Sequence, residues 1–251
     1  MNRAEQAEKT TKALYGGASA LGVTDPEFAA IKERLIYGEV YAEEKLSARL
    51  RELVILVVAT TNQTMNEVKR HTAAALACGV KPEEIKEAVY HCAPYIGLGK
   101  AENAVNAVNA VFAEKGIVLP LTSGQTVTEE SRLLDGIAAQ KSIFGDQIDA
   151  MRAAAPENQQ HIQDYLSANC FGDYVSRGGL DAKVRELLTF SMLLTLGGCE
   201  PQLRGHIQGN LNVGNDKRTL LAVVTQLLPY AGYPRTLNAI VCLNEAIPEN
   251  E

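Results

Sequence analysis

The strongest constraint on this chain is that it contains itself twice. From His71, HTAAALACGVKPEEIKEAVYHCAPYIGLGKAENAV runs without a gap over HIQGNLNVGNDKRTLLAVVTQLLPYAGYPRTLNAI from His206. In that register His71 meets His206, Gly79 meets Gly214, and Pro94, Tyr95 and Gly97 meet Pro229, Tyr230 and Gly232. Upstream, LSARLREL (46–53) lies over LDAKVREL (180–187), and YGEVY from Tyr37 over FGDYV from Phe171; the second copy carries one extra residue between REL and its histidine. Further back, LYG at Leu14 pairs with IFG at Ile143. Whatever supersecondary unit one copy builds, the other builds too. The chain therefore divides into 1–117 and 131–251, joined by a linker over 118–130 where Pro120, Gly124 and a Ser/Thr cluster interrupt helical periodicity.

Within a copy the elements read as helices. Residues 27–42 carry Phe28, Ile31, Leu35 and Val40 at helical spacing. RELVILVVAT (51–60) is a continuous apolar run that periodicity alone leaves open between strand and helix. No second strand candidate exists to pair it, and an unpaired strand strands its own backbone donors. The run is therefore expected to be a buried helix, capped by Ser47 with Leu50 as its third residue. A further helix is expected from near Thr64 through His71 to Ala77, closed by Gly79. Another opens at Lys81-Pro82-Glu83-Glu84 and reaches about Cys92, and a last one covers roughly 100–114. The fold class is all-α, two tandem copies of one helical bundle.

The net charge of −6 comes from interspersed signs, and no basic face of the kind that phosphate backbones demand is present, so nucleic acid is not an expected partner. No apolar run approaches the roughly 18 residues that cross a bilayer, and the amino-terminal stretch lacks the apolar core of a signal peptide, so a cytoplasmic location without membrane contact is expected. Five cysteines at wide gaps form no CxxC, which argues against a disulfide framework or a zinc site. No HxxxH, HxH or Cys/His cluster starts a metal site either, so neither a metal nor another cofactor is expected.

Glu67 and His71 stand four apart on one helical face, and a carboxylate beside an imidazole raises its pKa and fixes its tautomer. Against that, Thr64-x-x-Glu67 also fits a capping box, in which Glu67 would bond backbone amides instead. Glu52 begins the preceding helix and can face the same histidine. What favours chemistry is repetition: both copies keep a histidine at one point while replacing most of its neighbours, and a polar residue on an inner face has little packing value. Cys199, at a helix start before Glu200-Pro201, is a candidate thiolate lowered by the helix dipole and paired with His206. Cys78, Cys92, Cys170 and Cys242 read as small apolar packing groups. Arg51 and Arg185 can clamp a substrate carboxylate or pair with a neighbouring glutamate, and Tyr95 and Tyr230 can line a pocket mouth. His91 ends a helix and can bond its last carbonyls, and His161 lies in a polar stretch; neither has a counterpart in the other copy.

The order REL, apolar run, Glu67-x-x-x-His71, Ala75-Leu76, Gly79-Val80, Glu83-Glu84-Ile85 and PYxG resembles the carboxymuconolactone decarboxylase/alkylhydroperoxidase-D superfamily over 51–105, and more loosely over 185–240. The resemblance implies an all-helical fold that associates as trimers or hexamers; two fused units imply a trimer of chains. It also implies two chemical branches. The peroxidase branch has a CxxC pair seven and four residues before the histidine and a glutamate further upstream. Those places hold Thr64 and Glu67 in the first copy, and Cys199 and Gln202 in the second, while Glu52 and Glu186 match the relay glutamate. The decarboxylase branch is the nearer match to the first copy. The expected activity is cofactor-free decarboxylation of a small lactone or keto acid, with His71, Glu67, Glu52 and their counterparts His206 and Glu186 as acid–base groups; if one half carries the chemistry, it is the half with His71. The alternatives are a thiol-dependent peroxidase or reductase using Cys199, and a non-catalytic assembly module.

Overall fold

Among the residues described by the computed structural model, 1–15, 21–43 and 45–248, all regular structure is helical. The first copy contributes α1 (Arg3–Tyr15), α2 (Leu21–Thr24), α3 (Pro26–Glu33), α4 (Ala48–Thr61), α5 (Met65–Ala77), α6 (Pro82–His91), α7 (Ala93–Ile96) and α8 (Leu98–Glu114). The second contributes α9 (Arg132–Phe144), α10 (Gln147–Ala153), α11 (Gln160–Tyr165), α12 (Ala182–Leu196), α13 (Glu200–Asn212), α14 (Lys217–Ala231) and α15 (Tyr233–Ala246). The chain is all-α, as expected. Gly16 of the LYG match lies outside the described residues.

Local signals act where the sequence places them. Ser47 accepts a hydrogen bond from the Leu50 amide at 3.3 Å and starts α4, and Asp181 does the same for the Val184 amide at 2.8 Å in α12. Gly79 and Gly214 close α5 and α13 at φ of +79° and +89°, a conformation that side chains with a Cβ resist.

The apolar run is indeed a helix, and its lack of a polar face has a physical cause. Residues 52–61 of α4 are all buried, and so are 185–195 of α12. The two helices pack against each other, so each is covered by its own copy on one side and by the other copy on the other. A single apolar cluster therefore runs through both halves, including Val54, Ile55 and Leu56 together with Leu187, Leu188 and Phe190. Burying each such side chain stabilises the fold by roughly 1.5–3 kcal/mol before entropy is charged against it.

The helix expected over 27–42 is not uniform. It changes at Arg34 to π-helical turns (Arg34–Glu39) and then a 310 turn (Val40–Ala42). The second copy repeats the change over Leu166–Val175. In both, the glycine of YG or FG lies against the backbone of the helix that opens its copy: Gly38 against Arg3, and Gly172 against Arg132. An ion pair sits at the same crossing in each copy, Arg3 with Glu39 at 3.0 Å and Arg132 with Asp173. The repeat thus reaches back to the first turn of α1 and α9. Between α8 and α9, residues 115–131 carry no helix and run along the second copy, where Gly124 accepts from the Gly178 amide at 2.8 Å.

Candidate active site

α4 and α5 pack together and bring Glu52, Glu67 and His71 to one point. His71 Nδ1 donates to Glu52 Oε2 at 2.7 Å, and the other Glu52 oxygen accepts from the Tyr41 hydroxyl at 2.8 Å. The Glu52 and His71 side chains are 1% and 0% exposed, so this dyad is sealed. On the far side of the ring, Nε2 lies 3.5 Å from Glu67 Oε2, and Glu67 Oε1 accepts from Lys32 Nζ at 3.1 Å. Glu67 does not cap its own helix: the Thr64 side chain makes no cap bond and donates instead to the Ala59 carbonyl. The capping-box reading falls, and the ion-pair reading holds.

Burial alone would lower the His71 pKa, but its hydrogen bond to Glu52 and its ion-pair contact with Glu67 outweigh that and raise it above the ordinary 6.5. The contact with His71 is also the main reason Glu67 is held down at about 2, with Lys32 helping and burial opposing. A lowered carboxyl stabilises the fold above its ordinary value of 4.5 and loses that contribution as pH falls toward 2; a raised imidazole contributes below 6.5 and loses it as pH rises. Glu67→Gln is therefore expected to cost most stability between those two values, and progressively less as the pH is lowered toward 2. Urea unfolding across that range checks it; a cost that does not change with pH would contradict the coupling.

A cavity of about 390 Å³ opens on the Glu67 side, lined by Lys32, Ile36, Ala59, Glu67, Pro229 and Tyr230 among others. The last two come from the other copy. Tyr230 stands edge-on to His71 with ring centres 5.7 Å apart, and Asn62 fixes it by donating to its carbonyl at 3.0 Å. The second copy mirrors this: His206 Nδ1 donates to Glu186 Oε2 at 2.8 Å, and Tyr95 of the first copy stands 6.1 Å from the His206 ring. There the histidine, 15% exposed, itself lines a cavity of about 600 Å³. Tyr95 and Tyr230 do line pockets, but each lines the site whose histidine belongs to the opposite copy.

Other expected residues are placed elsewhere. Arg51 stacks on the Tyr41 ring at 4.3 Å and does not line the cavity. Arg185 is 1% exposed and spent on Glu87 at 3.1 Å and on the carbonyls of Leu180, Arg177 and Gly178; it is a structural cation joining the copies, not a substrate clamp. Cys199 sits at the start of α13 without capping it; burial and then the nearby Glu200 push its thiol up, opposite to the expected dipole effect, and it donates to the Leu193 carbonyl at 3.3 Å. Cys170, expected only to pack, lines the second cavity; burial pushes its thiol up to about 12. His91 bonds across the copies, to Thr189 at 2.9 Å and the Arg185 carbonyl at 3.2 Å, rather than to the end of its own helix. Lys32 and Tyr41 went unnoticed in the sequence. The available signal for Lys32 was a lone cation on the apolar face set by Phe28, Ile31 and Leu35. Among the described residues no group of His, Cys, Asp and Glu could hold a metal ion, and no helix is long and apolar enough to cross a membrane.

Two stretches of the chain, 26–110 and 160–245, match the model of the carboxymuconolactone decarboxylase family, and the chain belongs to that family. It is similar to a 4-carboxymuconolactone decarboxylase from Acinetobacter baylyi, 31% identical over 91 residues that make up 36% of this chain and 68% of the relative. An uncharacterized 15.0 kDa protein from Paracoccus denitrificans is 33% identical over 82 residues, 32% of this chain and 61% of its own. A crystal structure from Burkholderia xenovorans, provisionally described as a gamma-carboxymuconolactone decarboxylase subunit, superposes over 94% of both chains with a TM-score of 0.56 and 21% identity, which speaks for the fold.

Proposed function

We propose that the first copy carries a cofactor-free decarboxylase site for a small carboxylated lactone or keto acid. The observation that carries this reading is the chain Glu52, His71, Glu67, Lys32, which runs from a sealed dyad to a charged pair at a cavity wall. Glu52 fixes the tautomer and orientation of His71 and sustains its positive charge. Because His71 is fully buried and Glu67 lines the cavity, the imidazolium proton reaches substrate through Glu67. Lys32 holds a substrate carboxylate that competes with Glu67 for it. When the bond to CO2 breaks, its electron pair passes into the lactone or keto carbonyl. The proton from the relay forms the new C–H bond, and His71 is reprotonated from water through Glu67, which faces the cavity. The dyad's recurrence in the second copy and the relative from Acinetobacter support the reading.

The test is turnover of 4-carboxymuconolactone followed by ultraviolet absorbance. Wild type is expected to consume it, and Glu67→Gln, which cannot carry the proton, to lose activity by roughly 10²-fold or more. Silence from wild type, or full activity in Glu67→Gln, overturns the proposal.

A further inference from the structure

The two cavities are one site in two copies, and their matched walls differ in charge. With YGEVY laid over FGDYV, Lys32 falls on Leu166 and Ile36 on Cys170; with His71 on His206, Glu67 falls on Gln202. All six line their respective cavities. The Lys32–Glu67 ion pair of the first site is thus replaced by Leu166 and Gln202, and none of the described residues lining the second cavity is a lysine, arginine, aspartate or glutamate. Its walls are largely apolar and aromatic, with Phe144, Ile148, Met151 and Phe171, and its polar features are His206, the Tyr95 hydroxyl, the Cys170 thiol and side-chain amides. Phe144 stands edge-on to His206 with ring centres 5.3 Å apart.

A carboxylate brought into such a cavity gives up its water and meets no lysine or arginine to pair with. A neutral ring loses nothing of that kind, gains contact with the aromatic walls, and can let its carbonyl oxygen accept from a side-chain amide of the wall such as that of Gln202. We infer that the second copy binds an uncharged, flat, largely apolar carbonyl compound such as a neutral aromatic lactone. The volume, about 600 Å³, lies in the range of small-molecule sites. The inference rests on the preceding reading only in treating the two cavities as counterparts, and its test reads binding rather than turnover.

Equilibrium dialysis with coumarin, an uncharged aromatic lactone, and with coumarin-3-carboxylate, the same ring bearing a charge, separates the possibilities. In a Lys32→Leu background, which removes the first cavity's cation and in which the further variants are made, coumarin is expected to bind at least tenfold more tightly than its carboxylate. The double variant Leu166→Lys with Gln202→Glu, which gives the second cavity the first one's pair, should lose coumarin at least tenfold and gain affinity for the carboxylate. Leu166 is 37% exposed and Gln202 is exposed, so both changes are at tolerant positions, and the single variant Gln202→Glu serves as a milder probe expected to weaken coumarin. Tighter binding of the carboxylate in the Lys32→Leu background, no uptake of coumarin, or coumarin binding indifferent to the substitutions at Leu166 and Gln202 overturns the inference. Turnover of carboxymuconolactone is scored separately, so either reading can fail without the other.

Discussion

Glu52→Gln is expected to lower the proposed decarboxylation by about 10²- to 10⁴-fold while leaving the chain folded. The carboxylate it removes accepts the Nδ1 proton of His71 at 2.7 Å and the hydroxyl of Tyr41 at 2.8 Å. A glutamine oxygen can still take one of these bonds, so the local packing survives. What it cannot supply is the negative charge that keeps a fully buried imidazolium ionised; burial would then draw the His71 pKa down. Proton NMR of the His71 ring should show that fall beside the kinetic loss. Lost activity with an unmoved His71 titration would mean that Glu52 acts otherwise than through the histidine, and unchanged kcat would remove the dyad from the mechanism.

Gly136→Ala is expected to cost the fold about 3 kcal/mol or more in urea unfolding, among the largest single-residue effects in the chain. A methyl there would overlap the carbonyl oxygen of Ser167, and would stand 2.8 Å from the carbonyl carbon and 2.9 Å from the Gly172 amide nitrogen. These are backbone atoms, so no side chain can swing aside; α9 would have to move off the π-helical stretch beneath it. Gly205 lies inside α13 with nothing within 4 Å of where a Cβ would be. There the same substitution should stabilise by about 0.5–1 kcal/mol. A loss at Gly136 no greater than at an ordinary surface site would show that the crossing adjusts freely.

The helices, their caps and the two histidines were legible because their signals are local or repeated. Ser47, Gly79 and the Pro82-Glu83-Glu84 start each act within a few residues of themselves, and a gapless register points straight at His71 and His206. Contacts between the copies were not legible, because a register says which residues correspond and not which ones meet. Tyr95 and Tyr230 were found as a pair, and their exchange was invisible. Arg51 and Arg185 are the same letter in the same motif with opposite fates, since their surroundings differ: Tyr41, on which Arg51 stacks, is matched by Val175, and Glu87, which holds Arg185, by Ala222. Cys199 misled for a related reason. A helix start favours a thiolate only where water or a cation reaches it, and here desolvation wins.

The exchanged tyrosines also bear on how the sites behave on dilution. A site finished by a residue from a separate molecule empties of that residue as the protein is diluted, with a midpoint set by the dissociation constant. Here the finishing residue is tethered to the same chain and packed through a shared apolar cluster, so its effective concentration at the histidine is fixed by the fold and not by the amount of protein present. Each histidine is thereby faced by a ring that its own chain supplies, and substitutions in the PYxG loop of one copy are expected to alter the surroundings of the other copy's histidine.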